Sequence, residues 1–226
     1  MGPMRWPQTP RELAAEQDRL AAEVWTAWRP LGRYAVGAVF ACFEQTSGGN
    51  GMAGDRAFAA AACGDDVTAV MGEALAAYAP GRLALREGAL LERAGRALAA
   101  LPDVLLVDAS GRDHPRRCGL ALHLGAVLGV PTVGVTHRPL NATGDWPDDE
   151  RGATSPLVLG GERVGYWVRT KRGTRPLAAH AAWRTGPEIA VEVLLTATEG
   201  ARAPEPLRRA RSAARRLRGE QVLHPA

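Results

Sequence analysis

Val104-Leu-Leu-Val107 is a short apolar run closed by a carboxylate, Asp108, and no other stretch constrains the fold as tightly. Apolar at every position, it reads as a strand buried on both faces, the mark of a parallel sheet covered by helices. A carboxylate at the end of such a strand is costly unless it is solvated, hydrogen-bonded or metal-bound, so Asp108 belongs at the sheet's rim. A short loop leads to His114-Pro115, where a proline in a first helical turn loses no hydrogen bond, and a helix is expected from His114 to Gly129. Pro131 to Thr136 is then the next parallel strand, which completes a strand-helix-strand crossover.

Leu13, Leu20, Val24 and Trp28 recur at helical intervals, so an amphipathic helix is expected from residue 11 to about 28, ended by Arg29-Pro30. Tyr34 to Phe43 has the length and composition of a strand, and Thr46 to Gly51 reads as a loop. Arg56 to Cys63 and Val67 to Tyr78 read as antiparallel strands about a Gly64-Asp65-Asp66 turn, with helix left open by their alanine content. A helix is expected from Leu85 to Ala100, stopped by Leu101-Pro102. Asn141 to Ser155 reads as a polar surface loop, Gly161 to Thr170 and Leu177 to Arg184 as strands, and Pro187 to Thr198 as a helix with Ile189 and Val193 on one face. Arg208, Arg209, Arg211, Arg215, Arg216 and Arg218 crowd a C-terminal helical stretch, read as a solvated helix in preference to a phosphate track. Antiparallel strands early, parallel ones later and helices at both ends describe a mixed α/β sheet flanked by helices. One domain is expected over 1–226, with an N-terminal helix within 1–30 and a basic helix and tail over 204–226.

With 226 residues, 46% of them hydrophobic, the chain can bury a substantial core. No apolar run reaches membrane-spanning length, and Met1 to Trp6 lacks the apolar stretch of a secretory signal, so a cytoplasmic location without a membrane partner is expected. Cys42, Cys63 and Cys118 show neither zinc spacing nor an even count and read as reduced core residues. A formal charge of +4 is compatible with a polyanion without requiring one. Nothing in the sequence fixes the oligomeric state.

Metal-assisted phosphodiester hydrolysis needs carboxylates that converge from different elements, and Glu87 and Asp108 are the best pair. Each has a plainer reading: Glu87 in helix-end electrostatics or an ion pair with a neighbouring arginine, Asp108 as a hydrogen-bonded rim acid. Around them stand two motifs, Tyr78-Ala79-Pro80-Gly81 running to Arg86-Glu87, and Val107-Asp108-Ala109-Ser110-Gly111 running to His114-Pro115-Arg116. Together these resemble endonuclease V, the repair nuclease that cuts nucleic acid near inosine, and the similarity runs from near residue 34 to the end. The resemblance implies a ribonuclease H-like fold, a magnesium (Mg2+) or manganese (Mn2+) cofactor, and DNA or RNA, possibly containing inosine, as partner. It implies that Tyr78, with Pro80 and Gly81, wedges beside the damaged base, since an inserted aromatic offsets part of the unstacking cost. Backbone at Gly81, Leu83 and Gly111 would line the base pocket. Glu87 and Asp108 would be catalytic metal-binding acids, and His114 would sit beside the reacting phosphate.

The same comparison exposes departures. Where the family's first strand carries a metal-binding Asp, this chain has Val39 or Phe40, and Glu44 lies about 13 Å further along a regular strand. Ala109 replaces a glycine, which narrows the expected pocket. His137 stands for a lysine and is carried as a catalytic candidate that can still donate to phosphate. Ala182-Trp183 stands for Gly-His, and His180 would face the other side of its strand. Arg112 and Asp113 are expected to pair at the surface. Two readings result: an active magnesium-dependent endonuclease, or a catalytically degenerate homologue acting as a nucleic-acid or nucleotide binding protein. A site of His114, His137 and Asp108 for a small nucleotide-like substrate is a third, and Cys118 reads as core in preference to nucleophile.

Overall fold

The computed structural model describes residues 5–44 and 51–223; the loop expected at Thr46–Gly51 lies, Gly51 apart, outside them. The strands are β1 (Val36–Phe43), β2 (Arg56–Cys63), β3 (Asp66–Glu73), β4 (Val104–Val107), β5 (Thr132–Thr136), β6 (Thr154–Leu159), β7 (Glu162–Val168) and β8 (Leu177–Ala181). They form one sheet in the order β3-β2-β1-β4-β5-β8-β7-β6. β4 pairs parallel with β1 and β5, and the remaining pairs are antiparallel. The helices are α1 (Pro10–Ala22), α2 (Leu83–Arg96), α3 (Leu120–Leu128), α4 (Pro187–Thr196) and α5 (Glu205–Leu223). The mixed α/β sheet expected from the sequence is therefore present, and β4-α3-β5 is the crossover that brings Asp108 to its rim. Among the described residues no helix is long and apolar enough to cross a membrane.

Alternation along the central strands divides the core. Val39, Leu105 and Val107 pack with Leu85, Leu91 and Leu122 of α2 and α3, whereas Ala38, Leu106 and Val133 pack with Val193 and Leu194 of α4. β2 resolves the ambiguity that alanine left open. Ala57, Ala59 and Ala61 face the α2 side, while Ala60 and Ala62 meet Ala210 and Ala214 of α5. One methyl is worth only about 0.8 kcal/mol on burial, so these alanines act by letting two helices approach the strand closely.

Four expectations are corrected. α5 is no solvated terminal helix: Leu207, Ala210 and Ala214 are buried, and Arg218 donates to the carbonyl of Phe43 at 3.2 Å. α1 starts on a Thr9 cap and a first-turn Pro10 but stops at Ala22, because Glu23 is extended and accepts no further turn. Beyond it the chain is an extended strap held by two rings, Trp25 on Trp183 and Trp28 on Tyr34, and by the Trp28 N–H donating to the Arg184 carbonyl at 2.7 Å. α3 begins at Leu120 and not at His114, since Arg117 adopts a left-handed φ of 55° and Gly119 an extended cap conformation. The segment 109–119 is instead folded on itself, with the Gly119 N–H donating to the Gly111 carbonyl at 2.9 Å. Finally, the expected 141–155 loop ends in β6, whose first two residues, Thr154 and Ser155, are polar and gave no strand signal.

Candidate active site

The Tyr78 turn is anchored at its base. The Tyr78 N–H donates to the Gly51 carbonyl at 2.8 Å. Buried Arg86 donates to the carbonyls of Met52 and Ala76, each at 2.8 Å, and to Asp55 Oδ2 at 2.9 Å. Its guanidinium also lies 4.0 Å from the Phe43 ring centroid. Fixed below, the Tyr78 ring remains 48% exposed. Gly81 ends the turn with a φ of +74°, a conformation that favours glycine.

His114 meets that turn from the far side. Its Nδ1 accepts the Arg116 N–H at 3.1 Å, so Nε2 carries the proton and donates to the Gly81 carbonyl at 2.9 Å. Burial pushes its pKa below the ordinary histidine value, which keeps the ring neutral near pH 7. Between the turn and this histidine lies a cavity of about 180 Å³, walled by Tyr78, Pro80, Gly81, Leu83, Ala109 and His114, with Asp108 at its edge. Gly111 is off this wall. A Cβ there would stand 2.2 Å from the Ala181 carbonyl, so its glycine serves the approach to β8.

Asp108 directly follows β4, and Glu87 sits one turn into α2. The two acids converge electrostatically: burial first, and then repulsion from Asp108, push the Glu87 pKa up to about 8, with Arg86 opposing. On the other side of Asp108 lies a second, small cleft lined by Thr136, His137 and Arg211. Arg211 Nη2 is 3.1 Å from Asp108 Oδ2, and Arg211 and Arg215 stand 5.0 and 5.9 Å from the Phe40 ring centroid. Val39 is in register with Val107, which sets Phe40 beside Asp108 while Val39 itself enters the α2–α3 core. Of the two candidates for the first-strand acid position, Val39 is a core residue and Phe40 an aromatic platform for arginines. Glu44 lies past the end of β1 and faces Arg56 at 3.9 Å. Exposed His137 is held below its ordinary pKa by burial of part of its ring, then by Arg202 and Arg211, with Asp108 opposing.

The expected surface pair of Arg112 and Asp113 does not form. Arg112 lies 4.5 Å over the Trp25 ring. Asp113 is fully buried and accepts the backbone N–H groups of Leu140, Asn141 and Ala142, tying that loop to the His114 segment. Its Oδ2 is 3.7 Å from His180 Nδ1, and His180 Nε2 is 2.8 Å from Thr136 Oγ1. Trp183 is a core residue stacked on Trp25 at 5.3 Å between centroids. Arg211, Thr136 and Asp113 were not among the sequence candidates; Asp113 alone carried a local signal, an acid beside His114 in the motif loop.

Magnesium characteristically takes one or two protein carboxylates and completes its shell with water and substrate phosphate. Glu87 and Asp108 fit that habit, and the raised Glu87 pKa marks negative charge that a cation would relieve. Among the described residues no cluster of three His, Cys, Asp or Glu side chains adds to the pair.

A family model described as Endonuclease V matches residues 56–212. Endonuclease V of Streptomyces coelicolor is 39% identical over 217 residues, covering 92% of this chain and 90% of that protein. The crystal structure of endonuclease V from Streptomyces avermitilis matches with a TM-score of 0.84 at 32% identity, over 96% of either chain. Endonuclease V of Ciona intestinalis, solved with a 24mer DNA containing an inosine followed by a ribo-adenosine, shares the fold at a TM-score of 0.73 and 18% identity, over 93% of this chain and 97% of that one. The ribonuclease H-like α/β fold implied by the motifs is the fold of these structures. With its fold, its motifs and its relatives in agreement, this endonuclease V-like nuclease belongs to the endonuclease V family, whose members depend on metal.

Proposed function

We propose that the chain hydrolyses a phosphodiester bond in inosine-containing DNA or RNA, with Glu87 and Asp108 as the acids of the reaction. The observation that supports this reading is Asp108 on the lining of a cavity rimmed by an exposed tyrosine, with Glu87 near enough to feel its charge. Tyr78 enters the gap left by an unstacked base, and the base occupies the cavity against Pro80, Gly81 and Leu83. His114 holds the turn so that this wall keeps its shape. Thr136 and Asp108 border both the cavity and the second cleft, so a strand whose base is in the first has its phosphate over Asp108 and near His137. His137 donates to that phosphate. Gly111, off the cavity wall, lets the loop after β4 lie close on β8.

Magnesium, or manganese in its stead, would be held by Glu87 and Asp108 and would supply Lewis-acid polarisation of the phosphate and an activated water. In the overall reaction a water oxygen bonds to phosphorus as the bond to one sugar oxygen breaks. Inosine as the recognised base is supported by the family and by the DNA in the Ciona intestinalis complex. We place the enzyme in the cytoplasm on the strength of its unpaired cysteines.

Inosine-bearing single and double strands incubated with magnesium or manganese test the reading. Cutting that Asp108→Ala abolishes is expected; cutting that survives the substitution would remove Asp108 from the reaction.

A further inference from the structure

Arg211 holds Asp108 through one contact, Nη2 to Oδ2 at 3.1 Å, while its buried Nε has no hydrogen-bond partner among the described residues. A guanidinium presents donors in a fork that matches two oxygens of a phosphate. Part of that fork is unused here. The surroundings are cationic as well: Arg202, tied to the carbonyls of Arg175 at 2.6 Å and Pro176 at 3.2 Å, is held below its ordinary pKa by burial and then by the like charges of Arg175 and Arg211. His137 feels Arg202 and Arg211. Among the residues lining the cleft Asp108 is the acidic one and Arg211 the arginine, with Arg202 close behind, so an entering anion has cations to meet.

Resting on the nuclease reading above, we propose that Arg211 is a phosphate-operated latch on Asp108. Without nucleic acid it neutralises the carboxylate; when a phosphodiester enters the His137 cleft, the guanidinium transfers its hydrogen bonds to the phosphate oxygens and frees Asp108 to join Glu87 in holding a divalent ion. Phe40 suits this movement. A ring face attracts a guanidinium without fixing the direction of its N–H bonds, whereas an acid at that position would hold the arginine as firmly as Asp108 does. Cation and nucleic acid then bind with positive coupling, and the coupling is reciprocal.

Titration of Mn2+ into the full chain, read by the electron paramagnetic resonance of free Mn2+, tests the latch without reference to turnover. Arg211→Gln is expected to bind Mn2+ at least about tenfold more tightly than the wild type, with Arg211→Lys close to the wild type. An inosine-bearing strand, checked for integrity after the titration, is expected to tighten Mn2+ binding to the wild type and to leave Arg211→Gln unchanged. Equal affinities of wild type and Arg211→Gln would overturn the latch while leaving Glu87 and Asp108 as the metal site. No Mn2+ binding by either protein, with or without the strand, would overturn the metal site and the latch together. Arg211 borders the buried face of α5 beside Leu207, so thermal melting verifies that the variants remain folded.

Discussion

The Nε2–H of His114 and the carbonyl of Gly81 are 2.9 Å apart, and this bond joins the tyrosine turn to the loop after β4 across the wall of the cavity proposed for the base. Removing it with His114→Ala loosens the wall without touching either acid. Net worth near 1 kcal/mol for such a bond translates into a roughly three- to tenfold loss of preference for inosine over adenine strands. Competitive binding measures this directly, and unchanged preference would detach His114 from recognition.

Arg86 and Asp55 form an ion pair in which the side chains are 3% and 7% exposed. Arg86→Ala leaves a buried carboxylate uncompensated and releases the backbone at Met52 and Ala76, so a loss on the order of 3–5 kcal/mol is expected in urea unfolding. A double replacement by apolar residues at 55 and 86 costs less than the single one. Wild-type stability of Arg86→Ala would show that the anchor is dispensable.

Tyr78 projects from the rim, its backbone tied to Gly51 and its side chain half exposed. Tyr78→Ala is expected to weaken binding to inosine in a duplex by about tenfold, and to weaken binding to a single strand less, because a single strand presents a smaller unstacking cost. Tyr78→Phe keeps the ring and should bind as the wild type. Equal losses on both substrates would assign the tyrosine a packing role.

Acid sensitivity follows from two buried imidazoles. Burial holds His123, stacked 4.5 Å from Trp6, down to about 4, and His180 down to about 4 with Asp113 opposing. Above the unfolded value near 6.5 neither state binds the proton. Below it the unfolded chain takes up protons that the folded chain refuses, so stability falls as pH drops from about 6.5 to about 4, by on the order of 3 kcal/mol for His123 across that window. Denaturant unfolding at stepped pH reads the slope, which His123→Leu should flatten; the same slope in that variant would assign the acid loss to other groups.

The sequence already marked Asp108, because four apolar residues ending in an acid admit few placements, and it marked Tyr78, because an aromatic followed by Pro-Gly makes an exposed turn. It also flagged Phe40 as a break in the metal set. What it could not contain was the consequence: Arg211, 103 positions away from Asp108, reaches the acid only because small alanines let α5 lie close on β1 and β2. The helix expected at His114 failed for a similar reason. Its proline and apolar pattern are ordinary helix signals, yet Arg117 is left-handed and Gly111 lies tight against Ala181 of β8, a contact the local sequence does not contain. Asp113, read as a surface charge, is buried by a loop that begins 27 residues later.

The position of the cut reports on the two acids and the base cavity together. An end-labelled strand with a single inosine, incubated with magnesium, should yield one discrete product at a fixed distance from the inosine, and Glu87→Gln should lose that product while still binding the strand. Scission that ignores the position of the inosine, or a Glu87→Gln enzyme that cuts as well as the wild type, would contradict the proposed function.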